Sequence, residues 1–227
     1  MAAGMLAVEQ AIAQMLDEVQ PLSQCVDIRL NDALDCVLAQ AVISHINVPG
    51  YDNAAMDGYA LRAAEVKPQQ ALTVVGAALA GHAYSDAVPV GSCVRITTGA
   101  VLPPDLDTVV MQEQVTIMQQ AGQQQILCKL QPDAGEHVRR AGEDIALGAQ
   151  VFAAGHKLRP VDIGLLASLG IATVTVWRKL KVAVFSSGDE LVPPGDPLPA
   201  GHIYDSNRYV IEAMLQRLGV EVINLGL

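Results

Sequence analysis

Small residues and two adjacent carboxylates follow one predicted buried strand, and they form a group that could do chemistry. Ser186, Ser187 and Gly188 are followed directly by Asp189 and Glu190. The small residues would let a ligand approach the backbone and would offer N–H and hydroxyl donors, whereas the carboxylates could hold a hydrated Mg²⁺ or act as a base. The alternative is a glycine turn followed by two solvated acids, which local sequence alone favours.

Two other loops combine polar groups with glycine. The segment 49–60 is too aperiodic for a core element and contains Asp57, although a pair of turns joining two strands would also explain it. Thr98 stands at the end of a predicted strand, where its hydroxyl could donate to an oxygen of a ligand such as a phosphate, but threonine is also an ordinary strand residue. Asp144 closes the segment 139–144, for which a surface loop with exposed ion pairs is the simpler interpretation.

The hydrophobic pattern predicts the elements that must position these groups. Apolar residues at helical spacing predict helices over residues 5–19, 31–38, 161–169 and 206–218. Short β-branched runs between about 72 and 130, broken by glycine and proline, predict a compact all-β insert. Strands predicted at 181–186 and 220–225 flank the last helix and form a βαβ unit. Residues 186–190 would then lie beyond the carboxyl end of a parallel strand, where α/β sheets bind ligands.

Composition and charge exclude several classes of protein. The 227 residues include 14 Lys and Arg against 24 Asp and Glu, a formal net charge of −10, and the longest basic run is Arg139-Arg140. Such a chain is unsuited to tracking the phosphates of nucleic acid, so an anionic ligand would need local donors or a bound cation. The four cysteines form no C-x-x-C pair, which indicates reduced thiols. Without a basic leader or a long apolar segment, we expect a cytoplasmic protein that does not enter a membrane.

Five short segments follow one another along the chain in the same order as the sequence signatures of a known protein family. They are residues 48–60, 95–100, 142–145, 186–191 and 203–207. Together they resemble the successive signatures of the molybdopterin molybdenumtransferase family, the molybdenum insertases of molybdenum-cofactor biosynthesis that are related to the gephyrin E domain. The resemblance extends over essentially the whole chain, which would correspond to little more than the first half of a family member. The parallel pattern is also unfinished at Leu227, because two parallel strands leave unpaired edges. We therefore expect this chain to be inactive by itself.

The resemblance implies an α/β and β multidomain protein that forms an elongated homodimer. Its parts would be an N-terminal helix (1–20) packed on the α/β domain, a small α+β linking domain (21–48 and 145–177), an all-β insert lobe (49–144), and the first βαβ unit of a truncated parallel α/β pterin-binding domain (178–227). In this family the catalytic cleft lies between the α/β domain of one subunit and the β lobe of the other. Residues far apart in the sequence would therefore serve one site.

The resemblance further implies a Mg²⁺-dependent transferase that inserts molybdate into adenylated molybdopterin and releases AMP. Carried over by position, the catalytic residues would be Asp57, Thr98, Asp144 and Glu190, with Asp57 and Glu190 as metal ligands, and the substrate-binding residues would be Ser186, Ser187, Gly188 and Asp189. One departure is the hydroxyl-free pair Ala54-Ala55, where the family pattern includes a serine.

The implied partners are a second copy of the chain, a molybdopterin adenylyltransferase and recipient molybdoenzymes, and not nucleic acid or a membrane. Two other functions stay open. One is an adenylyl-transfer or nucleotide-pyrophosphate hydrolase relative that shares the α/β domain, although such relatives lack the segment 56–59. The other is a non-catalytic scaffold that binds partner peptides, as gephyrin does.

Overall fold

The computed structural model describes residues 6–120 and 122–227, which form two compact units. The α/β unit contains residues 6–41 and 152–227, and the β unit contains residues 42–151. The helices are α1 (Val8–Asp17), α2 (Pro160–Ser168) and α3 (Asn207–Arg217). The strands are β1 (Cys25–Arg29), β2 (Val42–Ile43), β3 (Asn53–Ala54), β4 (Gly58–Leu61), β5 (Leu72–Ala78), β6 (Ser92–Ile96), β7 (Thr108–Met111), β8 (Val115–Gln120), β9 (Gln123–Cys128), β10 (Val138–Arg139), β11 (Gln150–Phe152), β12 (Thr173–Trp177), β13 (Lys181–Phe185), β14 (Leu191–Val192), β15 (Ile203–Tyr204) and β16 (Glu221–Gly226). Within the described residues, no helix has the length and apolar character needed to cross a bilayer.

The β unit is built around a six-stranded sheet in the order β7-β4-β6-β5-β9-β8. Neighbouring strands are antiparallel except for β5 and β6, which run parallel. The short strands predicted between about 72 and 130 are thereby confirmed as members of one sheet.

Both faces of the inner strand β4 are buried. Tyr59 and Leu61 belong to one apolar cluster, which also contains Cys93, whereas Ala60 belongs to a second cluster with Val94. This division arises because successive side chains of a strand point to opposite faces of the sheet. A strand that is covered on both faces has no room for solvated polar groups along its length, so its functional groups are expected at its ends.

In the α/β unit, β13 and β16 form a parallel pair and α3 packs against both strands. This arrangement confirms the predicted βαβ unit. β1 pairs antiparallel with β12, and β14 pairs parallel with β15, each in a separate two-stranded sheet. The described chain is therefore mostly β with few helices, while the division at 1–20, 21–48 with 145–177, 49–144 and 178–227 stays a prediction.

The helix predicted over 31–38 is wrong. Only one 3₁₀ turn forms, at Leu30–Asp32, and Asp35 then adopts a left-handed conformation with a φ of 61°. The N–H of Leu38 donates to the carbonyl of His156 at 2.9 Å, and the Leu38 side chain is fully buried. Pairing with a distant segment thus satisfies backbone groups that a helix would have used internally, and tertiary packing overrides the local propensity.

The predicted N-terminal helix is confirmed as α1, and residue 5, at which the predicted helix begins, lies outside the described residues. Apolar side chains of α1, including Val8, Ile12 and Met15, are exposed in the single chain. The packing of this helix on residues 178–227 stays a prediction.

A buried carboxylate, that of Asp162, lies in the first turn of α2. The presence of α2 confirms the helix predicted over 161–169. Asp162 accepts hydrogen bonds from the backbone N–H and the guanidinium of Arg159, and its Oδ2 lies 2.8 Å from Nε2 of His156. These contacts, chiefly the Arg159 guanidinium, hold the pKa of Asp162 well below its ordinary value of 3.8. The carboxylate therefore stays ionised inside the α/β unit.

Replacement of Asp162 by Asn should lower the melting temperature at neutral pH, because an amide cannot replace the ionic hydrogen bonds from Arg159. Folding lowers the pKa of Asp162, so its contribution is present above the unfolded-state pKa and is lost as the pH falls through the folded-state pKa. The difference in melting temperature between wild type and D162N should therefore shrink from about pH 5 to about pH 2.

The control for this prediction is Asp35→Asn, because Asp35 makes an exposed ion pair with Lys157 and should contribute little. An equal loss of stability in both variants, or a D162N difference that does not change with pH, would contradict the role assigned to Asp162.

Gly58 lies between β6 and β7 at the start of β4, and a Cβ atom there would overlap the carbonyl oxygen of Val110. Because the obstacle is backbone, Gly58→Ala should lower the free energy of unfolding by at least about 2 kcal/mol, measured by denaturant titration. Gly164→Ala is the matched control, because a Cβ there meets no atom within 4 Å. Alanine favours the helix more than glycine does, so this change should raise the free energy of unfolding by up to about 1 kcal/mol. A G58A variant as stable as wild type would show that β4 and β7 are not so closely packed.

Candidate functional site

Asp57 and Thr98 form a hydrogen-bonded pair at one end of the six-stranded sheet. Asp57 directly precedes β4, and Thr98 follows shortly after the end of β6. These ends meet because β4 and β6 are antiparallel neighbours with Gly58 opposite Ile96. Oδ1 of Asp57 accepts hydrogen bonds from the Thr98 backbone N–H at 2.7 Å and from the Thr98 hydroxyl at 2.8 Å. The structure thus brings together two of the predicted catalytic residues.

The pair keeps the Asp57 carboxylate ionised. Donation from the Thr98 N–H, followed by donation from the Thr98 hydroxyl, holds the pKa of Asp57 below its ordinary value of 3.8, and the charge of Arg95 acts in the same direction. Because the Thr98 hydroxyl donates its hydrogen bond to Asp57, it cannot donate to a substrate phosphate in this geometry. Oδ2 of Asp57 has no hydrogen-bond partner among the described residues, so it is the atom left for a cation or a substrate.

A cavity of about 390 Å³ includes this pair in its wall. Its lining residues are Met56, Asp57, Thr98, Met111, Gln112 and Glu113. The N–H of Gln112 donates to the carbonyl of Asp57 at 3.1 Å, which fixes the wall on the side of β7. A cavity of this size can take a small ligand or one end of a larger ligand.

Ala54 positions the Thr98 turn with its backbone. The N–H of Gly99 donates to the carbonyl of Ala54 at 2.8 Å, and the N–H of Ala54 donates to the carbonyl of Ala100 at 3.0 Å. The Ala54 side chain is buried in an apolar cluster. A hydroxyl at position 54 is therefore not required to hold the turn, which explains how this chain can do without the serine of the family pattern.

Asp144 lies in a network of ion pairs elsewhere in the β unit. Its carboxylate accepts a hydrogen bond from Nη2 of Arg139 at 2.6 Å, and Nε of Arg139 donates to Glu143, also at 2.6 Å. These bonds, first that to Asp144, raise the pKa of Arg139, and the Arg139 guanidinium lowers the pKa of Glu143. Arg140 likewise pairs with Asp52. Asp144 is thus half-exposed and already paired with a cation, which corresponds to the exposed ion pairs that local sequence favoured.

The predicted substrate-binding residues follow β13, and residues 186–190 are called the strand-end loop from here on. Both donors of Ser186 are used in hydrogen bonds within the protein: its N–H donates to the carbonyl of Gly226 at 3.0 Å, and its hydroxyl donates to Asp205 at 3.0 Å. Among the described residues, the next four N–H groups, those of residues 187–190, have no acceptor. The strand-end loop therefore presents a run of backbone donors at the carboxyl end of a parallel strand, a place suited to an anion.

Gly188 and Glu190 shape this loop together. A Cβ atom at Gly188 would lie 2.7 Å from Oε2 of Glu190, so the glycine leaves space for the carboxylate. Glu190 is exposed, and its side chain has no hydrogen-bond partner among the described residues. Asp189 is exposed as well.

Sequence reasoning missed three residues that hold the strand-end loop, namely Asp205, Arg208 and Asn224. Asp205 and Arg208 are almost fully buried, and Nε of Arg208 donates to Oδ2 of Asp205 at 2.8 Å. The Arg208 guanidinium is the main cause of a lowered pKa at Asp205. The signal for this pair was present in the sequence as an acid and a base three residues apart at the start of a predicted helix.

The predicted site residues lie in two units. Asp57, Thr98 and Asp144 belong to the β unit, whereas the strand-end loop with Glu190 belongs to the α/β unit. In the part of the chain that the structure describes, no group of three or more His, Cys, Asp or Glu residues is arranged to hold a metal ion. A Mg²⁺ site formed by Asp57 and Glu190 stays a prediction.

Comparison with known proteins identifies relatives of the chain. Residues 6–170 match the family described as the MoeA N-terminal region, domains I and II. The molybdopterin molybdenumtransferase of Haemophilus influenzae is 44% identical over 98% of this chain and 54% of its own length, and that of a Nostoc species is 37% identical over 84% of this chain and 44% of its own length.

Solved structures show the same likeness. A molybdopterin biosynthesis MoeA protein of Pyrococcus horikoshii superimposes with a TM-score of 0.85 at 32% identity, over 98% of this chain and 57% of that protein. The chain thus spans about half the length of the relatives it matches. By sequence and by fold, the chain belongs to the MoeA family of molybdopterin molybdenumtransferases, within its N-terminal region.

Proposed function

We propose that the chain contributes to a molybdenum insertase that transfers molybdate into adenylated molybdopterin and releases AMP. The observation that carries this proposal is the strand-end loop, where four consecutive N–H groups without acceptors stand beside the carboxylate of Glu190. Backbone donors bind phosphate oxygens without adding charge, which suits a protein with a net charge of −10. The pyrophosphate of an adenylated pterin is an anion that such a loop can hold.

Asp57 supplies a second group for this reaction. Its carboxylate is ionised and fixed by Thr98, and Oδ2 remains open in the wall of the cavity. An oriented carboxylate can position a water or a substrate hydroxyl by accepting its proton in a hydrogen bond. Asp144 acts less directly, because Arg139 already pairs with it.

Asp57 of the β unit and Glu190 of the α/β unit are each chemically suited to act as a ligand of the Mg²⁺ that the family implies. Oδ2 of Asp57 and the carboxylate of Glu190 are hard oxygen donors without hydrogen-bond partners among the described residues, and Mg²⁺ is held through one or two carboxylates together with substrate phosphates. When bound, Mg²⁺ would neutralise phosphate charge and polarise the bond that breaks.

The insertase is favoured over an adenylyl-transfer or nucleotide-pyrophosphate hydrolase relative by the segment 56–59, which such relatives lack and which places Asp57 in the β unit. A homodimer, and contacts with a molybdopterin adenylyltransferase and with recipient molybdoenzymes, belong to the same proposal. Formation of adenylated molybdopterin by the full-length protein would instead support an adenylyl-transfer relative, and peptide binding without molybdate insertion would support a scaffold.

Asp57→Asn and Glu190→Gln should each lower the rate of molybdate insertion by at least about tenfold in the full-length protein, because each removes an anionic oxygen ligand. Insertion is measured by the activation of a cofactor-free molybdoenzyme, with circular dichroism to confirm the fold. Asp86→Asn is the control: Asp86 is also an exposed acid of the β unit, and its replacement should leave the rate unchanged. A variant that retains full activity would remove that residue from the site.

Thr98→Val should move the acid limb of the pH–rate profile to higher pH. The hydroxyl of Thr98 stabilises the ionised form of Asp57, so its removal raises the pKa of Asp57 and the active anion is lost at a higher pH. Thr97→Val is the matched control, because Thr97 accepts a hydrogen bond from Ala80 and makes no hydrogen bond to Asp57. Identical profiles for wild type and T98V would show that Asp57 ionisation does not limit the reaction.

A further inference from the structure

A closed ring of hydrogen bonds ties the start of the strand-end loop to α3 and to the end of β16. Gly226 accepts from the N–H of Ser186, and the N–H of Gly226 donates to Oδ1 of Asn224 at 2.7 Å. The same Asn224 oxygen accepts from Nη1 of Arg208 at 2.9 Å. Nε of Arg208 donates to Asp205, and Asp205 also accepts a hydrogen bond from the hydroxyl of Ser186, which completes the ring.

The ring is suited to fixing a single geometry because its charged members are buried. Asp205 is 2% exposed and Arg208 is 9% exposed. A buried ion pair is more stable when its remaining donors and acceptors are also satisfied, and here Asn224 and Ser186 each supply one such hydrogen bond. Arg208 uses two different nitrogen atoms on two different acceptors, and the single ammonium of a lysine cannot reproduce that fork.

The far end of the loop is tied to the same segment of chain. The N–H of Ile203 donates to the carbonyl of Glu190 at 2.9 Å, and the N–H of Asp205 donates to the carbonyl of Val192 at 2.9 Å. Residues 203–205 therefore hold the loop at both ends. Between these two attachments, the N–H groups of residues 187–190 are the donors left for a ligand.

We propose that Arg208 is a positioning residue for the strand-end loop, acting through Asp205 and Ser186, and that the Ser186 hydroxyl supports the loop and does not contact the substrate. The substrate groups held by the loop are phosphate oxygens, bound by the N–H groups of residues 187–190. This inference rests on the proposed function for the identity of the anion. It reassigns Ser186 from substrate binding to support, while Ser187 and Gly188 keep the binding role.

Amide hydrogen exchange tests the positioning directly. Ser186→Ala removes one hydroxyl and leaves the Asp205–Arg208 pair intact, so the fold should persist while the hydrogen-bonded amides at the attachments of the loop, those of Leu191, Ile203 and Gly226, exchange at least about tenfold faster. Ser186→Thr keeps the hydroxyl and should restore slow exchange. Arg208→Lys should accelerate the same amides, whereas amides within β13 and α3 should keep their wild-type rates in all three variants.

Binding of inorganic pyrophosphate, measured by calorimetry on the same proteins, gives the functional readout. Wild type and Ser186→Thr should bind equally, and Ser186→Ala and Arg208→Lys should bind at least about fivefold more weakly. Arg217→Gln is the matched control, because Arg217 lies in the last turn of the same helix and its replacement removes the same charge without touching the ring.

The two measurements separate the two ideas. Unchanged exchange at Leu191, Ile203 and Gly226 in Ser186→Ala, or equal acceleration in Arg217→Gln, would overturn the positioning role. Acceleration that spreads through α3 in Ser186→Ala would also overturn it, since the ring would then be a general support of the fold. Faster exchange in the variants together with no pyrophosphate binding by wild type would leave the positioning role standing and count against the proposed function.

Discussion

The two hydrogen bonds that Thr98 donates to Asp57 are the constraint on which the candidate site of the β unit depends. They exist because β4 and β6 are antiparallel neighbours whose ends meet. Gly58 allows β4 to lie against the backbone of β7, and any larger residue would push these strands apart. The stability of the sheet and the ionised state of Asp57 therefore depend on the same close packing.

The α/β unit uses the same principle with different groups. A carboxylate at the end of a strand is again fixed by donors from a neighbouring element, but for Asp205 the donors are the Arg208 guanidinium and the Ser186 hydroxyl. Both carboxylates have lowered pKa values for this reason. They differ in access: Asp205 is buried and closes a ring, whereas Asp57 keeps one oxygen open in the wall of a cavity. The first can position other groups, and the second can meet a ligand.

Charge explains why backbone groups matter in this protein. Acidic residues exceed basic ones by ten, and several arginines are already paired with carboxylates, including Arg139, Arg159 and Arg208. Ion pairs within the described residues thus use half of the 14 Lys and Arg side chains. The N–H groups of the strand-end loop add no charge and pay no side-chain entropy on binding, which makes them the donors best suited to phosphate oxygens. A bound cation would add to this attraction.

Periodicity and composition determined the all-β insert, the βαβ unit and the position of the strand-end loop, because burial imposes a repeat of two or 3.6 residues on the chain. Local sequence singled out Asp57, Thr98 and Glu190, and the family resemblance assigned catalytic roles to them. Tertiary structure alone decided that residues 31–38 are not a helix and that the Thr98 hydroxyl donates a hydrogen bond to Asp57. It also decided that Ser186 belongs to a ring of hydrogen bonds with Arg208 and Asn224. Those outcomes depend on contacts between segments distant in sequence, and a local pattern contains no information about which distant donor will satisfy a given acceptor.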